Sequence, residues 1–185
     1  MSVSTSKITA HMVSSLDGYV ASLDGKYDWM ESKSDYVKGH NLSKEEIETF
    51  LSKIDCYLMG SATYEQALQL GWPYGDTPVY VLSQRPLPVQ TESVTILNND
   101  LDKEIVILKE NHQNIWMVGG PSLLKSLMEL NKIDELVISL LPILLGEGLT
   151  FFQEYKEAYH LQLLKSVAYD TGMVEMTYSV NYLLE

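Results

Sequence analysis

Residues Ile115-Trp116-Met117-Val118-Gly119-Gly120-Pro121-Ser122-Leu123-Leu124 decide the fold. An apolar run stops at two glycines, and an amphipathic segment with proline in its first turn follows at once. Proline suits the first helical position because its missing N–H would have no intrahelical partner anyway. The glycines permit a tight turn and let a ligand approach the amides that open the helix. Such a helix start carries partial positive charge and N–H donors, which suits a phosphate. The same turn also serves as plain strand-to-helix geometry with no ligand, so the choice between the two rests on the rest of the chain.

At 185 residues the chain has room for one full core, and residues 1–185 read as a single domain. Its 45% hydrophobic and 21% charged residues are ordinary for a globular protein. The net charge of -12 argues against nucleic acid or an anionic membrane surface as partner. An anionic ligand therefore needs a local pocket. The single cysteine, Cys56, lies in an apolar run and has no internal disulfide partner, which points to a reducing, cytoplasmic setting and an inert thiol. The N-terminus carries no signal-peptide h-region, and no apolar run is long enough to span a bilayer.

In chain order, Lys7 to Ser14 reads as a strand, broken at Ser15-Leu16-Asp17-Gly18 and resumed at Tyr19-Val20-Ala21. Lys26 to Leu42 is polar and irregular, with Trp29 standing out as a core anchor or a pocket wall. Ser43 to Ile54 reads as a helix opened by a Ser43/Glu46 capping box, with Ile47, Phe50, Leu51 and Ile54 on one face. Strands are expected at Asp55 to Met59, Pro78 to Leu82, Val94 to Leu97 and Glu135 to Leu145. Pro142 suggests a bulge or an edge in the last of these. Helices are expected from Gly60 to Gly71, from about Asp100 to Glu110, and from the opening stretch to about Leu130. Leu161 to Tyr169 and Met173 to Leu183 flank the hairpin signal Asp170-Thr171-Gly172. Val174, Met176, Tyr178, Val180 and Tyr182 alternate with polar residues, so one face of that strand is expected to be buried. The pattern is α/β: a mostly parallel central sheet built by βα crossovers and finished by an antiparallel C-terminal hairpin.

In sheets of this kind ligands bind where strand C-terminal ends meet helix starts. Three such ends carry similar chemistry: Gly60-Ser61-Ala62-Thr63, Leu82-Ser83-Gln84-Arg85 and Gly119-Gly120-Pro121-Ser122. Two helix starts and a Ser/Arg loop suit a pyrophosphate and a further phosphate, which together describe a dinucleotide. The G-x-G-x-x-G fingerprint is absent, so an ordinary Rossmann site is not expected. The four histidines are scattered and no Cys/His spacing fits a metal, so none is expected.

Four motifs occur in one order: Ser15-Leu16-Asp17-Gly18-Tyr19-Val20-Ala21, Met59-Gly60-Ser61-Ala62-Thr63-Tyr64-Glu65, Val118-Gly119-Gly120, and Gly146-Glu147-Gly148-Leu149-Thr150-Phe151-Phe152. With them the chain resembles the dihydrofolate reductase superfamily, closest to the reductase domain of bifunctional riboflavin biosynthesis proteins. The resemblance covers nearly the whole chain and implies a three-layer α/β/α fold with NADPH as cofactor, NADH being the variant to consider. It places Val13, Val20 and Ala21 on the nicotinamide and Gly60, Ser61, Ala62 and Thr63 on the pyrophosphate. It puts Val118, Gly119, Gly120, Pro121, Ser122, Leu123 and Thr150 around the cofactor. Leu82, Ser83, Gln84 and Arg85 fall at the adenosine 2'-phosphate.

Two departures matter. The family often has arginine after the first glycine, where this chain has Ser61, leaving Arg85 as the candidate for the 2'-phosphate. The riboflavin branch has a first-strand lysine that helps hold the substrate's phosphoribosyl group, and the position reads His11 here. The substrate side is assigned to His11, Trp29, Phe50, Leu140 and Glu147. A proton must also reach the substrate. Glu46 and Asp17 are the catalytic candidates, with Glu147 beside them, although the capping box and the glycine-flanked turns give these acids structural reasons as well.

The expected activity is hydride transfer to a small pterin- or aminopyrimidine-like heterocycle, similar to 5-amino-6-(5-phosphoribosylamino)uracil reductase. The alternatives are dihydrofolate reduction proper and a catalytically silent nucleotide-binding module. A homodimer is expected from the resemblance and from the apolar C-terminal hairpin.

Overall fold

The computed structural model describes residues 6–25, 28–31, 34–98 and 100–182. Lys26 and Leu183, which bound two of the expected segments, lie outside them. In chain order the elements are β1 (Lys7–Ser15), β2 (Tyr19–Ala21), a short 3-10 helix (Asp28–Met30), α1 (Lys44–Leu51), β3 (Cys56–Gly60) and α2 (Ser61–Gln69). There follow β4 (Val79–Leu82), β5 (Val94–Leu97), α3 (Leu101–Asn111), β6 (Asn114–Gly119) and α4 (Pro121–Glu129). The chain ends with β7 (Glu135–Leu141), β8 (Leu149–Thr150), β9 (His160–Ala168) and β10 (Val174–Asn181). It divides into two compact units: Met1–Ala10 with Phe50–Asp134, and His11–Thr49 with Glu135–Glu185. Strand β1 begins in the first and ends in the second.

In the first unit the strands run β5-β4-β3-β6-β1, and each pair is parallel. The reason is visible in β3, where Cys56, Tyr57, Leu58 and Met59 are all buried. Neighbours along a strand point to opposite faces, so both faces of β3 are covered, as parallel sheets require. Tyr57, Met59, Tyr64, Val79, Val81 and Val94 form one core cluster. The Asp55 carboxylate accepts from the Gln113 and Asn114 amides, both at 2.8 Å, which fixes β6 beside the start of β3. Asp134 accepts from the Ile8 amide and from Lys109, each at 2.7 Å. Cys56 is buried, and its thiol is pushed up to about 12, chiefly by loss of water, which makes it inert at neutral pH.

In the second unit β10 lies between β7 and β9 and is antiparallel to both. A separate two-stranded ribbon pairs β2 with β8. The architecture is thus mixed α/β with a mostly parallel sheet and an antiparallel C-terminal hairpin, as the sequence pattern predicts.

Three local expectations are corrected. The strand opening at Glu135 stops at Leu141, one residue before Pro142, and lies between β1 and β10, so the proline ends it and makes neither bulge nor edge. The apolar side of β10 is only partly covered: Val180 is buried, but Val174 is 38% exposed. In α1 no residue is buried, and Ile47, Phe50 and Leu51 are 41%, 41% and 46% exposed. Its amphipathic face is real in pattern and half open to water. Among the described residues no helix is long and apolar enough to cross a membrane.

Candidate functional site

The three strand ends singled out in the sequence are neighbours in the first unit. Strand β3 pairs with β4 on one side, Gly60 opposite Leu82, and with β6 on the other, Met59 opposite Gly119. Because all three strands are parallel, the turns after Gly60, Leu82 and Gly119 open at the same edge of the sheet. A side chain built on Gly60 would stand 3.8 Å from the Gly120 nitrogen, so the starts of α2 and α4 adjoin. At Gly119 a Cβ would meet Thr63 Oγ1 at 3.2 Å, and φ is +159°, so the residue is glycine because Thr63 and the backbone leave little else. The Gly119–Gly120 peptide bond is cis.

These two helix starts are bare. Gly60 and Gly120 are the N-caps of α2 and α4, neither helix has a side-chain cap hydrogen bond, and neither carries an acid in its first turn. Helix α3 is different: Asp100 accepts from the Asp102 amide at 3.1 Å, and Asp102 and Glu104 follow in the first turn. At the starts of α2 and α4 the helix dipole is therefore met by no side-chain cap and no acid, an arrangement that suits an anion, although the Leu123 amide itself donates to the Gly120 carbonyl at 3.0 Å. Pro121 and Leu123 are buried, so they contribute shape and backbone, and Ser122 is exposed. Leu82 and Val118 are half-buried at their strand ends.

Beyond Leu82 the turn is stiff. The Ser83 hydroxyl donates to the Arg85 carbonyl at 2.7 Å and accepts from the Arg85 amide at 3.2 Å. Gln84 is exposed. The Arg85 guanidinium donates to Glu65 Oε2 on α2 at 2.5 Å, and this carboxylate holds the arginine's pKa above its ordinary value. The fit to a dinucleotide is good at the pyrophosphate, where two adjoining helix starts carry neither a side-chain cap nor an acid.

The second unit gathers the other candidates. Asp17 accepts from the Ser15 hydroxyl at 2.6 Å, the Gly146 amide at 2.7 Å and the Leu145 amide at 3.1 Å. These bonds, the Ser15 hydroxyl first, hold its pKa below the ordinary aspartate value. Asp17 thus clamps two of the four sequence motifs together. Tyr19 pairs with Thr150, and the Phe151 amide donates to the Gly18 carbonyl at 2.7 Å, in the same joint. Val20 and Ala21 are buried, Val13 is half-buried, and Thr150 and Glu147 are exposed.

Glu46 makes its capping box in full. Its carboxylate accepts from the Ser43 amide at 2.9 Å and hydroxyl at 2.8 Å, while its own amide donates to Ser43 Oγ at 3.2 Å. Its Oε1 also lies 3.0 Å from His40 Nε2, and the Ser43 amide leads the causes that lower its pKa. Asp17 and Glu46 are both held as ionised hydrogen-bond acceptors, a state that suits anchoring and not proton donation.

His11 stands in a polar cluster that the sequence did not announce. Its Nε2 lies 2.8 Å from Ser139 Oγ, and Ser139 Oγ donates to Glu175 Oε2 at 3.2 Å. A hydroxyl has one proton, so if Ser139 gives it to Glu175, His11 presents Nε2–H to Ser139. Tyr169 closes the far side, its hydroxyl donating to Glu175 Oε1 at 3.3 Å. Burial pushes the His11 pKa down, and the Glu175 charge pulls it partly back. Burial likewise pushes Tyr169 up to about 12. His11 and Val13 share one face of β1, so this cluster and the residue assigned to the nicotinamide lie side by side.

Leu140 is half-buried opposite Val174, and Trp29 is half-buried in the 3-10 helix. Phe50 packs edge-on against Trp116 in the first unit, ring centres 4.7 Å apart. Ser139, Tyr169, Glu175 and Glu65 were not singled out from the sequence. One signal was legible, a lone serine inside the apolar run Leu136–Leu141; Glu175 looked like an ordinary outward residue of an alternating strand.

Comparison with known proteins agrees with this geometry. Over 161 residues the chain is 32% identical to the uncharacterized protein YwjB of Bacillus subtilis (strain 168), covering 85% of this chain and 88% of YwjB. A crystal structure from Shewanella sp. PV-4, of a protein named for riboflavin biosynthesis, superposes with a TM-score of 0.81 at 26% identity, over 95% of this chain and 99% of that one. Dihydrofolate reductase from Enterococcus faecalis, solved with NADP(H), shares the fold at a TM-score of 0.63 and 20% identity, over 96% and 98% of the two chains. The RibD C-terminal domain family matches residues 6–175, and the chain belongs to that family, with a fold that dihydrofolate reductase shares.

Proposed function

We propose that the chain is a reductase that binds a reduced nicotinamide dinucleotide, NADPH in the family's pattern, and reduces a small pterin- or aminopyrimidine-like heterocycle. The reaction nearest to this reading is that of 5-amino-6-(5-phosphoribosylamino)uracil reductase. One observation carries it: two adjoining helix starts, at Gly60 and Gly120, that keep neither a side-chain cap nor an acid in a chain with 25 acidic residues.

In this reading the start of α2 at Ser61, Ala62 and Thr63 and the start of α4 at Pro121, Ser122 and Leu123 take the pyrophosphate, and the turn at Ser83, Gln84 and Arg85 takes the adenosine end. Val13, Val20, Ala21 and Thr150 flank the nicotinamide. The cofactor supplies hydride, and the protein's share is position and exclusion of water. Since Asp17 and Glu46 are committed to hydrogen bonds as anions, His11 in its pairing with Ser139 and Glu175 is the group of the second unit best suited to orient a polar substrate. Trp29, Leu140 and Glu147 complete the substrate assignment. We also propose a homodimer, supported by β9, where Leu161, Leu163 and Leu164 are 39%, 54% and 51% exposed.

Titration with NADPH, followed by nicotinamide fluorescence, tests the cofactor assignment. The expected result is saturable enhancement at micromolar protein; a flat trace would remove the cofactor from this account.

A further inference from the structure

Arg85 is the only arginine among the thirteen basic residues of the chain. It sits in the turn that ends β4, one strand over from the start of α2, since Leu82 pairs with Gly60. In the dinucleotide reading above, the pyrophosphate rests on the starts of α2 and α4 and the adenosine half falls at that strand end. A 2'-phosphate there needs a cation, and Arg85 is the one the turn supplies.

The cation is already engaged. Arg85 donates to Glu65 Oε2 at 2.5 Å, and Glu65 lies one helical turn beyond Ser61, on the side of α2 that meets the β4 turn. The two side chains are 56% and 40% exposed, and ion pairs so open to water add little to stability. The fold has small need of this pair. Its consequence falls on a ligand: a 2'-phosphate approaching Arg85 also approaches a carboxylate, and the repulsion offsets the attraction. A ribose 2'-hydroxyl meets no such penalty, because it donates a hydrogen bond and Glu65 accepts one.

We propose that Glu65, by holding Arg85, sets the cofactor choice of this protein and lets NADH bind about as well as NADPH. The inference deepens the dinucleotide reading above and rests on it. It also accounts for what Ser61 leaves open, since no second cation follows Gly60 to restore the balance.

Dissociation constants for NADPH and NADH, measured by fluorescence or calorimetry without any substrate, test it. The unaltered protein is expected to hold the two within about threefold of each other, the size of effect an exposed charge pair commands. Glu65→Gln is expected to tighten NADPH about tenfold and to leave NADH unchanged or weaker. Arg85→Gln alone should change NADPH less than threefold, yet in the Glu65→Gln background it should abolish the whole gain, a non-additivity that marks a direct pair. Glu65→Ala repeats the test with a different side chain, and thermal melting of each variant confirms that it is folded. If both dinucleotides bind and Glu65→Gln and Glu65→Ala leave their ratio unchanged, the inference is overturned and the cofactor reading stands. If neither dinucleotide binds the unaltered protein, both fall.

Discussion

Helix α3 and the pair α2 and α4 begin in opposite ways. At α3 the chain spends Asp100 on a cap and adds two acids to the first turn. At α2 and α4 it places glycine, no cap and no acid. A side-chain cap is worth about 1 kcal/mol and an acid in the first turn about 0.3–1 kcal/mol more. A chain so rich in acids has forgone this twice, at two adjoining strand ends, and taken it elsewhere. Stability alone explains α3. It does not explain α2 and α4, whereas the proposed dinucleotide would.

The contrast can be broken most forcefully at Gly120. Its φ of -98° and ψ of -174° suit any residue, and the nearest side-chain atom to a new Cβ is Thr63 Oγ1 at 3.8 Å. Gly120→Val should therefore fold with a melting temperature near that of the parent while dinucleotide affinity falls about 100-fold or more, about 2.7 kcal/mol. Unaltered affinity would mean the turn is only structural.

Ser61→Asp sharpens the comparison by making α2 resemble α3. Stability should rise by a few tenths to about 1 kcal/mol while dinucleotide affinity drops about tenfold, a sign reversal readable from melting and titration on one preparation. Asp100→Ala does the converse. It should cost about 1 kcal/mol in denaturant unfolding and leave affinity within about twofold. A loss of affinity there would erase the distinction between the two kinds of start.

The smallest effect is expected in the second unit. Asp17 has a folded pKa below its unfolded value, so its contribution is present above the ordinary aspartate range and is lost as pH falls through the folded value. The stability gap between the parent and Asp17→Asn should therefore close on acidification. A gap that is constant with pH would show that the clamp on Leu145 and Gly146 does not depend on the charge.

Much of this was legible in the sequence, and the exceptions share a cause. The residues of β5, Val94–Leu97, and the cap of α1 at Ser43 follow from local pattern, as does each of the three strand-end turns. The two-residue β8 and the 3-10 helix at Asp28–Met30 are too short for any period to register. The openness of α1 and of the hairpin was hidden because alternation reports which residues share a face, not what covers that face. The polar cluster was out of reach for a different reason. His11 and Ser139 are 128 positions apart, and Ser139 and Glu175 are 36 apart, so only the folded sheet brings them together. Glu65 and Arg85 lie 20 apart, and their pairing likewise depends on β3 and β4 being neighbours.

The central claim concerns particular backbone amides, so the most direct measurement observes them. Amide resonances, or hydrogen exchange by fragment, should be followed while NADPH is added to the free protein. The account predicts perturbation at Ser61, Ala62, Thr63 and Ser122, with Leu101, Asp102 and Lys103 at the start of α3 unmoved. Saturable NADPH binding that left the first group untouched would contradict it.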